Sequence, residues 1–116
     1  MSDIELDELA TRLGTVALLD VRTPAEYDGS GGHDCDPRQG HVPGARNLDV
    51  YRLVELTGAE IAAELGLEPG AEVVAYCHSG SRSKVAVQIL RAAGYDARNF
   101  TGSWHEWSRH DELPLE

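Results

Sequence analysis

The chain has 116 residues and a mass of 12.6 kDa, a length that builds one core and excludes most multi-domain architectures. Hydrophobic residues make up 41%, too many for a disordered chain, and no run approaches the ~18 consecutive apolar residues of a membrane span. Ten Lys and Arg against 20 Asp and Glu leave a formal charge of −10, which argues against nucleic acid and anionic membranes as partners. Two cysteines, Cys35 and Cys77, are too few for a disulfide scaffold. The acidic start, Met1–Glu5, leads into no apolar stretch of the kind a secretory signal carries. A cytoplasmic, reducing location with both thiols free is therefore expected.

Ile4, Leu6, Leu9, Ala10 and Leu13 fall near helical spacing, which predicts a first helix over Ser2 to Leu13, capped by Ser2 or Asp3 and stopped by Gly14. Val16 to Leu19 is a short unbroken apolar run that reads as a buried parallel strand ending in Asp20-Val21-Arg22. Polar residues at that end are where open α/β sheets place their chemistry. Thr23-Pro24-Ala25-Glu26 is a capping-box pattern opening a helix that ends near Tyr27. From Asp28 to Gly44 the chain turns rich in Gly, Pro, Asp and His with no periodicity, which predicts a long surface loop. Ala45 to Val50 is a weak strand candidate. Leu56 to Leu65 is a helix opened by Thr57 with Glu60 as its box partner and closed by Gly66, and Pro69-Gly70 is a turn.

Glu72 to Tyr76 reads as a central strand, running directly into Cys77-His78-Ser79-Gly80-Ser81-Arg82-Ser83. Val85 to Ala93 then looks apolar nearly all round, which predicts a fully buried helix stopped by Gly94. A last strand is expected at Ala97 to Phe100 and a polar helix from Ser103 to about His110. Strands alternating with helices give an α/β fold with a mainly parallel sheet.

Cys77 is the leading candidate for chemistry. A cysteine between a buried strand and a helix N-terminus sits where the amides of His78 to Ser83 can turn inward as a nest. Such a nest stabilises a thiolate and would equally hold an oxyanion in line for attack. Gly80 lets the loop turn, Arg82 adds positive charge, and Ser79, Ser81 and Ser83 offer hydroxyls. A buried structural cysteine is the competing reading.

Several blocks follow one another in order: Asp20-Val21-Arg22, Pro24-x-Glu26-Tyr27, Gly40-His41-Val42-Pro43-Gly44-Ala45, Tyr76 to Ser83, and Gly94-Tyr95. In this order the chain resembles a single-domain rhodanese, a sulfurtransferase, from about Ser2 to Trp107. The resemblance implies one rhodanese-like domain over residues 1–116, with a five-stranded, mainly parallel sheet flanked by helices on both faces. It implies a ping-pong cycle in which Cys77 takes sulfane sulfur from a donor, becomes a persulfide and passes the sulfur to an acceptor. His78, Ser79, Gly80, Ser81, Arg82 and Ser83 would be the cradle, with Arg82 binding the anionic donor. Asp20, Arg22 and Glu26 would orient the loop from a second layer; a solvated surface ion pair is the plainer reading of these charges.

Four residues separate Cys77 from Arg82, one fewer than in the Cys-x5-Arg loop of similar phosphatases and arsenate reductases, whose larger ring admits a tetrahedral oxyanion. A mercaptopyruvate-type enzyme would resemble Cys-Gly-Ser-Gly-Val-Thr, so Arg82 favours thiosulfate or a low-molecular-weight persulfide as donor, with a thiol, protein thiol or cyanide as acceptor. No metal and no organic cofactor are expected. A non-catalytic module that binds a partner or carries sulfur is the alternative.

The chain departs from the family at about residues 28–39, where an insertion holds His33-Asp34-Cys35-Asp36. His33, Cys35, Asp36 and His41 are suitable metal-ligand types without a recognised spacing. Cys35 is a candidate relay thiol, and an inert surface loop is the third reading. Thr101-Gly102-Ser103-Trp104-His105-Glu106-Trp107 resembles the family's Gly-Gly-x-x-x-Trp with Ser103 in place of the second glycine. Trp104 and Trp107 read as packing residues, His105 and His110 as a solvated helix face, and Asp111 to Glu116 as a frayed tail. His78 is left open between an acid–base role and a solvent-facing one.

Overall fold

In the computed structural model, which describes residues 3–116, the predicted central strand is β4 (Glu72–Tyr76). Val73 to Tyr76 are sealed from water, as expected of a strand covered on both faces. It pairs in parallel with β2 (Ala17–Asp20) on one side and β5 (Asp96–Phe100) on the other. The short β3 (Arg46–Asn47) continues the sheet beyond β2, and β1 (Asp3–Ile4) continues it beyond β5. The order is β1-β5-β4-β2-β3, and every pairing is parallel.

The pleat sorts the strand residues into two cores. Leu19, Val73, Ala75 and Ala97 pack with α3 (Val50–Leu53), α4 (Gly58–Leu65) and α5 (Ser81–Ala92) on one face. Leu18, Val74, Tyr76 and Phe100 pack with α1 (Leu6–Thr11) and α6 (Ser103–Trp107) on the other. Trp104 and Trp107 are fully buried in that second core, so packing is their role. Both expected capping boxes form: Thr23 with Glu26 opens α2 (Pro24–Asp28), and Thr57 with Glu60 opens α4.

Several expectations need correction. The first helix does not start at Ser2 or Asp3: Ser2 lies outside the described residues, Asp3 belongs to β1, and Glu5 precedes α1, which ends at Thr11. Ile4, which falls on the predicted helical stripe, pairs with Phe100 in the sheet. The residues after β3 form α3, a four-residue helix capped by Asp49 and too short to show a period. Helix α5 is amphipathic rather than buried all round: Ala86, Val87 and Leu90 face the core while Val85 is 45% exposed. The final residues are not frayed, because Glu116 and His41 exchange two backbone hydrogen bonds of 2.9 and 3.1 Å. Among the described residues no helix is long and apolar enough to cross a membrane.

Candidate active site

Cys77 follows β4 at the carboxyl end of the central strand and is 1% exposed. The carbonyls of the loop are tied outward. The amides of Trp104 and His105 donate to the carbonyls of Cys77 and His78, each at 2.9 Å. The Gly80 carbonyl accepts from Lys84 N at 3.1 Å and Asn99 Nδ2 at 3.2 Å. With the carbonyls held away, the amides turn inward: Gly80 N stands 3.1 Å from Cys77 Sγ and Ser83 N 3.4 Å. The Ser83 hydroxyl closes the ring at 3.3 Å. Burial pushes the thiol pKa up, but the Ser83 hydroxyl and the amides of Ser83, Gly80 and Ser79 outweigh it and leave the thiol below its ordinary value.

Gly80 has φ +98°, and a Cβ there would meet the Thr101 carbonyl oxygen at 2.7 Å, so neither the turn nor the space accepts another residue. The three serines divide. Ser83 is buried on the sulfur, whereas Ser79 and Ser81 are exposed, and Ser79 contributes through its amide.

Ser103 completes the wall of the site, a role that the sequence signalled only as a departure from Gly-Gly. It is fully buried and held at φ 54°, the left-handed region that favours glycine. Its hydroxyl accepts from Cys77 N at 3.1 Å, donates to the Phe100 carbonyl at 2.8 Å and lies 4.0 Å from Cys77 Sγ. A strained serine thus fixes the amide of the cysteine itself.

The charged residues form two pairs with different tasks, one buried and one partly buried. Arg82 places Nη1 and Nη2 on the Glu26 carboxylate at 2.8 and 3.0 Å, joining the cradle to α2. Burial raises the Glu26 pKa, but Arg82 and the Thr23 amide and hydroxyl pull harder and hold it at about 2. Arg22 grips Asp20 through Nε and Nη2, with its strongest contact at 2.7 Å, and donates to the Gly40 carbonyl at 2.6 Å. Its guanidinium lies 5.1 Å from the Trp104 ring centre. Asp20 and Arg22 are 0% and 1% exposed, so the solvated-pair reading fails for them. They anchor the end of the insertion, and Glu26 anchors the cradle.

The loop over residues 28–39 folds back on the site. Arg38 donates to the carbonyls of Trp107, Ser108, His110 and Leu113, and its own carbonyl accepts from Trp104 Nε1 at 3.0 Å. Asp36 is buried against His78, whose Nε2 is 3.2 Å from Oδ1. His33 stacks on His78 with ring centres 3.8 Å apart, and His33 Nε2 is 3.4 Å from Glu26 Oε2. His78 therefore faces the insertion rather than open solvent. His41 is engaged elsewhere, stacked on Tyr27 with Nδ1 2.9 Å from the Tyr27 carbonyl. Cys35 Sγ lies 3.9 Å from Asp36 Oδ1, both thiols are free, and Cys77 Sγ is in contact with Gly80, Ser83 and Ser103.

A family profile, that of the Rhodanese-like domain, matches residues 5–110. The chain belongs to the rhodanese-like domain family. A thiosulfate sulfurtransferase of Pseudomonas aeruginosa is 34% identical over 119 residues, a match covering 93% of this chain and 43% of that protein. The crystal structure of a probable thiosulfate sulfurtransferase superposes with a TM-score of 0.86 at 42% identity, over 99% of this chain and 47% of that one. The structure of human single-domain sulfurtransferase TSTD1 superposes with a TM-score of 0.74 at 29% identity, over 97% of this chain and 99% of that one. This rhodanese-like domain spans less than half the length of the curated relatives it matches.

Proposed function

We propose that this rhodanese-like domain is a sulfurtransferase that carries sulfane sulfur on Cys77 from thiosulfate or a low-molecular-weight persulfide to a thiol, protein thiol or cyanide. The observation that carries this reading is the ring of two amides and one hydroxyl within 3.4 Å of Cys77 Sγ. In the first half-reaction the Cys77 thiolate attacks the outer sulfur of thiosulfate. A new S–S bond forms, the old one breaks, and sulfite leaves with its electron pair. The resulting persulfide is anionic, and the same amides and hydroxyl stabilise it. In the second half-reaction the acceptor attacks the terminal sulfur. Thiocyanate departs when the acceptor is cyanide, and the Cys77 thiolate returns with the electron pair of the broken bond.

Arg82 supports this cycle differently from a free cation. Its charge is shared with Glu26, so the main-chain dipoles meet the donor first, and Arg82 engages a donor oxygen by releasing one of its two bonds to the carboxylate.

The test couples turnover to mass. Thiosulfate should add one sulfur atom to the intact protein, cyanide should remove it, and Cys77→Ser should abolish both the mass gain and thiocyanate production. A stable mass gain without turnover would make the domain a sulfur carrier, and turnover surviving in Cys77→Ser would end the proposal.

A further inference from the structure

Beside the cradle, donor atoms from three separate parts of the chain converge. Cys35 and Asp36 come from the insertion, His78 from the loop after β4, and His105 from α6; one ligand atom from each lies within 4.8 Å of all the others. The Asp36 side chain is 0% exposed, yet its Oδ2 has no hydrogen-bond partner. His78 Nε2 stands 3.0 Å from that oxygen, and the hydrogen bonds fall on Oδ1, which also receives Arg109 Nη1 at 2.9 Å. Oδ1 also lies 3.9 Å from Cys35 Sγ and 3.8 Å from His105 Nδ1. A sealed carboxylate with one oxygen lacking a directed hydrogen bond, set beside two imidazoles and a thiol, is a costly arrangement unless something else approaches it.

We propose that Cys35, Asp36, His78 and His105 form a binding site for a divalent cation of the zinc class. The donor set of two nitrogens, one sulfur and one oxygen is the borderline-soft mixture that Zn²⁺ favours in four-coordinate sites. Metal–ligand bonds of about 2.0–2.3 Å place tetrahedral donors about 3.3–3.8 Å apart, so the cluster closes around an ion by contracting about an ångström. The exposed Cys35 and the half-exposed His105 are the side chains free to make that movement. Asp36 is already oriented by Arg109, which also donates to the Cys35 carbonyl at 2.8 Å, and the His78 ring is fixed by the His33 stack. Such outer partners preorganise metal ligands. On binding, the Cys35 thiol gives its proton to solvent, and the thiolate and carboxylate together balance the two positive charges. The ion ties the insertion to the cradle and to α6 at the residue next to Cys77, without using Cys77. His33 and His41 are not ligands.

Cobalt reports this site directly, because a thiolate ligand gives Co²⁺ a charge-transfer band in the near ultraviolet. The reduced, chelator-treated full chain should bind one equivalent of Co²⁺ with that band, and Zn²⁺ should displace it. Cys77→Ser should keep the band. Cys35→Ser should lose it, and both Cys35→Ser and His105→Ala should weaken Zn²⁺ by more than the roughly 10–100-fold that loss of an outer partner costs, with circular dichroism unchanged. A band that disappears in Cys77→Ser but survives in Cys35→Ser would overturn the proposal, as would absence of stoichiometric binding or a Zn²⁺ affinity untouched by His105→Ala.

Discussion

At the scale of single residues, the site depends on where hydrogen bonds are placed rather than on unusual side chains. The Cys77 thiol is surrounded by inward-facing amides because the carbonyls around it are already committed to α6, Lys84 and Asn99. Ser103 shows the cost of that arrangement. Its left-handed backbone would suit glycine, but its hydroxyl satisfies the buried Cys77 amide. Ser103→Ala removes the hydroxyl and keeps the strain, whereas Ser103→Gly removes both. Chemical denaturation should therefore rank the glycine variant about 1 kcal/mol above the alanine variant, with both below the parent by about 1–3 kcal/mol for the orphaned amide. An alanine variant as stable as the glycine variant would mean that residue 103 carries no strain. This serine was visible in the sequence only as a mismatch, since nothing in its neighbours forecasts a bond to a residue 26 positions earlier.

Between elements, the cradle and α2 are held together by one ion pair. Glu26 serves α2 as the acidic member of its capping box and serves α5 as the partner of Arg82. Its pKa of about 2 lies below the ordinary 4.5, so the folded state binds its proton less readily than the unfolded chain. The stabilisation is complete above about pH 4.5 and disappears as the pH falls through about 2. Glu26→Gln keeps an acceptor for the Thr23 amide and removes the charge. It should lower unfolding free energy by about 2–3 kcal/mol at neutral pH, with the gap to the parent closing toward pH 2. A gap that stays constant from pH 7 to 2 would show that the charge contributes nothing. The elements with strong local signals, both capping boxes, β2, β4 and β5, were legible in the sequence. β1 was absorbed into the predicted first helix, and β3 was legible only as part of a longer weak strand, Ala45 to Val50, that ran into α3; a two-residue strand has no period and owes its state to its partner.

For the molecule as a whole, the parallel sheet fixes the position of the candidate site, and the loop over residues 28–39 fixes its surroundings. Cys77, Asp20 and the cradle all lie at the carboxyl ends of neighbouring strands, as the run of apolar residues into polar loops implied. The insertion's course was not legible. Its lack of periodicity said loop, but its contacts are made by Arg38 to four carbonyls and by Asp36 to His78 and Arg109, pairings up to 75 residues apart. The same docking brings Cys35 to His105 rather than placing it among the contacts of Cys77.

The hydrogen-bonded ring holds the Cys77 thiol below its ordinary pKa, and the proposed chemistry depends on that depression. In a Cys35→Ser background, where one thiol remains, the rate of iodoacetamide alkylation can be followed against pH. A midpoint below the ordinary thiol value of about 8.5, rising when Ser83 is also replaced by Ala, is the expected result. A midpoint at or above that value, indifferent to Ser83→Ala, would contradict it.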